Sequence, residues 1–112
     1  MTQPDSTPAS DVEVVDEPEH NRFVARIDGA TVAYSAYRLL GDRIWFLHTE
    51  TDERVEGRGI GSRLVAGALD QVRERNLRVI AKCPFVASYI KRHRAYADLL
   101  DDRDGKPSAS PA

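Results

Sequence analysis

Three glycines within five residues, set between a strand-like segment and an amphipathic run, give the chain its strongest chemical signal: Glu56-Gly57-Arg58-Gly59-Ile60-Gly61-Ser62. Glycine permits backbone conformations closed to other residues and lets a ligand approach the chain closely. The first turn of a helix carries N–H groups without intrahelical partners, and a partial positive charge. A glycine loop opening a helix is therefore a cradle for phosphate. Two further residues could do chemistry. Cys83 immediately precedes Pro84, so it caps a helix, where the field stabilises a thiolate. His48 lies in a strand-like segment, and imidazole titrates near neutral pH. Glu50 and Glu53 are alternative bases acting through water. The plainer readings are a glycine turn capping a helix, a small buried thiol and a packed strand histidine.

The loop is not one of two familiar phosphate loops. A Walker A loop needs Gly-x-x-x-x-Gly-Lys-Ser/Thr, and this chain lacks both the lysine and the spacing. A dinucleotide fingerprint needs Gly-x-Gly-x-x-Gly. Its third glycine position falls on Ser62 or on Leu64, depending on the start.

The elements that must position these residues follow from periodicity. Residues 22–28 form a strand, Asp28-Gly29 a hairpin turn, and residues 31–39 the return strand. Gly41-Asp42 marks a second turn, and residues 43–49 a further strand. Alternation puts Ile44, Phe46 and His48 on one face of it, and Trp45, Leu47 and Thr49 on the other. Both faces are largely apolar, as in a central strand. Val12–Val15 adds a strand before this meander. Ile60, Leu64, Val65, Ala68, Leu69 and Val72 recur at helical spacing, which predicts a helix over 61–75 stopped at Asn76. Residues 77–82 form a short buried strand, parallel to the 43–49 strand through a right-handed crossover. Pro84 opens a last helix. Phe85, Val86, Tyr89, Ile90 and His93 supply its apolar face, and residues 96–100 a closing turn. The fold class is α/β with a mixed (α+β) sheet: an antiparallel meander, a strand-helix-strand parallel pair and a C-terminal helix.

Composition bounds the function. The 112 residues hold one small domain. Residues 1–11 and 104–112 have the composition of disordered tails, leaving a domain over 12–103. No apolar run is long enough to span a bilayer, and no secretory signal opens the chain. With a single cysteine, these features point to the cytoplasm. Residues 54–94 hold ten Lys/Arg against three Asp/Glu, an excess of +7 (10 − 3) that begins at the glycine loop. A polyanionic ligand would feel a favourable field there. No helix-turn-helix, zinc ligand set or aromatic RNA-binding signature accompanies the charge, which argues against nucleic acid.

The loop resembles the acetyl-coenzyme A pyrophosphate loop of the Gcn5-related N-acetyltransferases, Gln/Arg-x-x-Gly-x-Gly/Ala. Gly59 and Gly61 match its small positions, while Glu56 stands where the family has Gln or Arg. The element order is similar to that fold. A narrower likeness adds Cys83-Pro84-Phe85-Val86 at its spacing, with Tyr89, Ile90, Arg92 and His93. Together these resemble the short YjdJ-like acetyltransferases, which lack the N-terminal helices of larger relatives.

The resemblance implies acetyl-coenzyme A as co-substrate and transfer of acetyl to an amine, on a protein or peptide lysine or a small molecule. It implies direct attack in a ternary complex. Coenzyme contacts would come from Thr49 and residues 56–62, with Lys91 and Arg92, beside Arg94, meeting the 3′-phosphate. It implies that the last two paired strands splay around the pantetheine arm. Cys83 would then meet the thioester, or accept acetyl transiently, and His48 would be the general base. Tyr89 could donate to the leaving thiolate, although it also suits core packing. The alternative is an acyl-coenzyme A-binding or interaction module that does not catalyse.

Overall fold

The computed structural model describes residues 12–55 and 57–101; the segments read as tails, and Glu56, lie outside the described residues. Five strands form one sheet in sequence order: β1 (Val12–Glu17), β2 (Arg22–Ile27), β3 (Ala30–Leu40), β4 (Arg43–Thr51) and β5 (Arg78–Ala81). β1 to β4 are antiparallel, and β5 lies parallel to β4. Helix α1 (Ile60–Glu74) crosses from β4 to β5, and helix α2 (Pro84–Arg92) follows β5. The mixed α+β topology is the expected one, with element ends within a few residues of those predicted.

Local chemistry sets the connections. Asp28 and Gly29 both have positive φ, 53° and 82°, as a two-residue turn matching strand twist requires. Asn76 adopts φ 58° beyond α1, and Leu77 N–H donates back to the Val72 carbonyl. That left-handed stop satisfies orphan carbonyls and turns the chain into β5.

The core lies between one face of the sheet and both helices. Ile60, Leu64, Val65, Ala68, Leu69 and Val72 of α1 are all buried there, with Val86, Tyr89 and Ile90 of α2. Each large aliphatic side chain contributes roughly 1.5–3 kcal/mol by leaving water. Against them pack Phe23, Ala25, Ala33, Tyr37, Ile44, Phe46 and Val79. No described helix covers the other face. Val24 and Ile80 are nonetheless buried and stand apart from the core cluster. Across β1 and β2, Glu17 is bridged by Arg22 and Arg26, and the Arg22 guanidinium lies over the Tyr34 ring. The aliphatic stems of such side chains cover apolar surface in place of a helix.

One irregularity decides where the site residues point. In the β3–β4 register Tyr37 faces Phe46 but Ala36 faces His48, so Leu47 is an extra residue. A bulge of this kind shifts the side-chain phase of its strand. Ile44 and Phe46 point into the core before it. Beyond it, Thr49 and Thr51 take the helix side, while His48 and Glu50 pass to the open face. The expectation that His48 shares a face with Ile44 and Phe46 is therefore corrected, as is the grouping of Thr49 with Trp45.

Candidate functional site

β4 and β5 pair only as far as Phe46 and Ala81. There Lys82 N–H and Cys83 N–H both donate to the Phe46 carbonyl, at 3.0 and 2.8 Å. β5 then ends and α2 begins at Pro84, while β4 continues to Thr51. The two chains diverge, and the β4 edge beyond Phe46 has no strand partner among the described residues.

A groove of about 720 Å³ lies beside this divergence, walled by Thr49, Thr51, Val55, residues 59–62 and Phe85. The loop at its end is built for backbone contact. Gly59 caps α1 with φ 74° and offers no side-chain hydrogen bond to the helix; no acidic residue occupies the first turn. The leading N–H groups of α1 thus lack an intrahelical partner. A Cβ at Gly59 would meet nothing within 4 Å, so the space beside it is open. At Gly61 a Cβ would lie 2.9 Å from the Phe85 ring and 3.3 Å from Thr51 Oγ1. Glycine there lets the two helix N-termini close on β4. Phe85, placed on the apolar face of α2 by periodicity, is 39% exposed and faces the groove instead.

The structure separates the two residues singled out for chemistry. Cys83 caps α2, is 2% exposed, and its Sγ–H donates to Thr49 Oγ1 at 3.4 Å. Thr49 shares a 2.9 Å hydrogen bond with buried Ser35. Of this Cys83–Thr49–Ser35 chain Thr49 lines the groove, while Cys83 and Ser35 are buried behind it, and the chain satisfies polar atoms inside the fold. His48 lies across β4 on the open face. Its Nε2 is 2.8 Å from Glu50 Oε2, and both side chains are more than half exposed. Glu50 also borders the groove, so the pair stands at the rim between the two faces.

The cations fall less neatly. Lys91 and Arg94 line a second cavity, of about 490 Å³, between the β5 edge and α2. Arg92 donates to Ser88 on its own helix. Among the described residues no cluster of three or more His, Cys, Asp or Glu could hold a metal, and no helix is long and apolar enough to cross a membrane. Sequence reasoning missed the partnership of Glu50 with His48 and the buried link from Cys83 to Ser35. The i, i+2 spacing of His48 and Glu50 on one strand was available as a signal. The Ser35 link depends on register across β3 and β4 and had none.

Residues 22–99 match the sequence profile of the GCN5-related N-acetyl-transferase family. The chain belongs to that family. It is similar to Protein NATD1 of Gallus gallus, with 32% identity over 84 residues, covering 73% of this chain and 76% of that protein. The Homo sapiens protein of the same name is 36% identical over 81 residues, covering 67% and 72%. In three dimensions the chain resembles a GCN5-like protein of Staphylococcus aureus, with a TM-score of 0.62, 26% identity and coverage of 82% and 90%. The ribosomal-protein-S18-alanine N-acetyltransferase of Escherichia coli shares the fold, with a TM-score of 0.52 and 16% identity over 72% of this chain and 50% of that one.

Proposed function

We propose that this protein binds acetyl-coenzyme A in the groove and transfers its acetyl group to an amine. The observation that carries the reading is the uncapped N-terminus of α1, opening through Gly57–Ser62 onto a groove beside the divergence of β4 and β5. The family membership and the family's fold support it. Backbone N–H groups would supply these contacts, so no side chain at Glu56 is required for them.

The residues present fit the coenzyme. Backbone N–H groups of residues 57–62 would hold the pyrophosphate, with help from the helix field. Thr49 and Phe85 would flank the pantetheine arm. When bound, the coenzyme supplies the activated thioester. A backbone N–H of residues 47–49, on the unpaired edge of β4, would polarise the thioester carbonyl. His48 would take the acceptor ammonium's proton, with Glu50 holding the imidazole. Cys83 would support the wall from behind, since its thiol is buried and its proton is directed at Thr49. The roles of Lys91 and Arg92 at the 3′-phosphate, and the narrower YjdJ-like likeness, belong to this reading as well.

Binding without transfer is the second reading. It is favoured by the placement of His48 on the face away from the groove. Calorimetry with acetyl-coenzyme A, followed by mass spectrometry of a panel of amines and proteins, separates the two. Micromolar binding with acetylated product supports transfer. Binding with no product from any acceptor supports the second reading, and absence of binding overturns both.

A further inference from the structure

We propose that the Thr49 hydroxyl is a hydrogen-bond donor aimed into the groove, that it donates to the thioester carbonyl of bound acetyl-coenzyme A, and that buried Ser35 positions it. This rests on the transferase reading above. In the β3–β4 register Ser35 stands directly opposite Thr49, so both side chains take the helix side of the sheet. Their oxygens are 2.9 Å apart, and the Cys83 thiol reaches the same Thr49 oxygen at 3.4 Å. Ser35 and Cys83 are 0% and 2% exposed, while half-buried Thr49 lines the groove.

The protons available fix the direction of each bond. A hydroxyl carries one proton and two lone pairs. Among the described residues Thr49 is the sole side-chain partner of Ser35. Were Thr49 to donate to Ser35, the Ser35 proton would have no acceptor inside the core, and a buried donor left unmade is costly. Were Thr49 to donate to the Cys83 sulfur, the thiol proton would be stranded in the same way. Ser35 therefore donates to Thr49, as Cys83 does. Both lone pairs of Thr49 are then filled, and its own proton leaves in the remaining direction. No described residue accepts it, and the open space that Thr49 borders is the groove.

The position suits the thioester. β4 parts from β5 beyond Phe46, and Cys83 marks the point where α2 begins. Thr49 is the groove residue bonded to Cys83, so its free proton lies at this divergence, beside the backbone N–H groups of residues 47–49. A side-chain donor there adds to a backbone donor on the same oxygen. Negative charge grows on that oxygen as an amine attacks, and donors already oriented stabilise it without reorganising. Burial of the chain behind Thr49 strengthens the effect, because successive hydrogen bonds polarise one another at low dielectric. Thr49 keeps its proton throughout; it is neither the acid nor the base of the reaction.

The thioester carbonyl stretch of acetyl-coenzyme A bound to the full chain is read by isotope-edited difference infrared spectroscopy, with calorimetry for affinity. Binding to the native chain is expected to lower the frequency of that stretch. Thr49→Val is expected to remove part of the shift and to reduce kcat/KM about a hundredfold, as loss of one such donor does, while affinity for coenzyme A without its acetyl group holds. Thr49→Ser is expected to restore both. Ser35→Ala removes the donor behind Thr49 and is expected to shrink the shift. Ser35→Ala with Thr49→Val removes both partners of the buried bond together, so it serves if Thr49→Val alone does not fold, and the same loss is expected. A shift that is unchanged in Thr49→Val or in the double variant overturns the proposal. So does a shift that stays the same or grows in Ser35→Ala, growth being the sign that Thr49 had been donating to Ser35. A Thr49-dependent shift without product from any amine upholds the donor and overturns transfer alone. Absence of acetyl-coenzyme A binding overturns both.

Discussion

A single backbone angle ties the glycine loop to its use. At Gly59, φ is 74° and no atom stands within reach of a Cβ, so the cost of any other residue there is conformational before it is steric. A left-handed conformation costs an ordinary residue about 1–2 kcal/mol. Gly59→Ala is expected to lower stability by that amount and acetyl-coenzyme A affinity at least tenfold, because relief of the strain rotates the N–H groups away from the groove. Thermal melts and calorimetry on the same sample check both, and unchanged affinity would remove the loop from the binding site. The residues proposed for chemistry diverge in the same way. His48→Gln keeps a hydrogen bond to Glu50 but cannot act as a base near neutral pH. It is expected to reduce transfer at least tenfold, about 1.4 kcal/mol in the barrier, with coenzyme affinity preserved. Cys83→Ser, with its side chain buried behind Thr49, is expected to change transfer less than threefold. The reverse ranking would assign the chemistry to the thiol.

At the scale of elements, most of the architecture was legible because each element carries its own period. Six apolar residues spaced for a helix gave α1. Strand patterns broken by Asp28-Gly29 and Gly41-Asp42 gave the meander, and Pro84 gave the start of α2. Three features were not legible. The bulge at Leu47 leaves a continuous strand-like sequence, since a phase shift is a property of the pair β3–β4 and of neither strand alone. The two-sided apolar pattern of β4 suggested a doubly covered strand. In fact Trp45 is half-buried with the Lys82 ammonium over its ring, and no described helix covers that face. Gly67 is a third case, silent in the sequence and decisive in packing. A Cβ there would lie 2.7 Å from Val14, so glycine is what lets α1 settle onto the edge strand β1. Alanine favours a helix interior by about 1 kcal/mol over glycine, while overpacking costs about 1–3 kcal/mol. Gly67→Ala is expected to destabilise on balance, by about 1 kcal/mol, and Gly67→Ala with Val14→Ala to recover part of the loss. Denaturant melts of the four proteins in this cycle measure the coupling, and additive effects would show that β1 yields freely.

Across the whole molecule, charge pairs and buried phenols set opposite ends of the pH range. Hydrogen bonds from Arg22 and Arg26 hold the Glu17 carboxyl below its ordinary value, and Arg73 does the same for Asp98. Arg54 brings Asp52 down to about 2. Carboxyls depressed on folding stabilise the native state above their unfolded values, and that contribution is lost as pH falls through the folded ones. The phenols act in the other direction. Burial, then hydrogen bonding to Asp70, pushes Tyr96 up to about 12. Burial and a 2.6 Å hydrogen bond to Asp16 raise Tyr37 further. Their contribution is full below about pH 10, the ordinary tyrosine value, and is lost as pH rises through the raised values. Tm should therefore form a plateau that falls below about pH 4 and above about pH 10. Tyr37 is 4% exposed and joins β3 to Asp16 of β1, which Arg75 at the end of α1 also grips. The alkaline limb therefore reports mainly on that corner. Tyr37→Phe removes the ionisable group while retaining the ring against Phe23. It is expected to cost about 1.5–3 kcal/mol at neutral pH, as loss of a hydrogen bond to a charged acceptor does, and to flatten the fall in Tm between pH 9 and about 11 relative to the native chain. An alkaline limb as steep as the native one would place its origin outside the Tyr37–Asp16–Arg75 corner, with Tyr96→Phe as the next variant to melt.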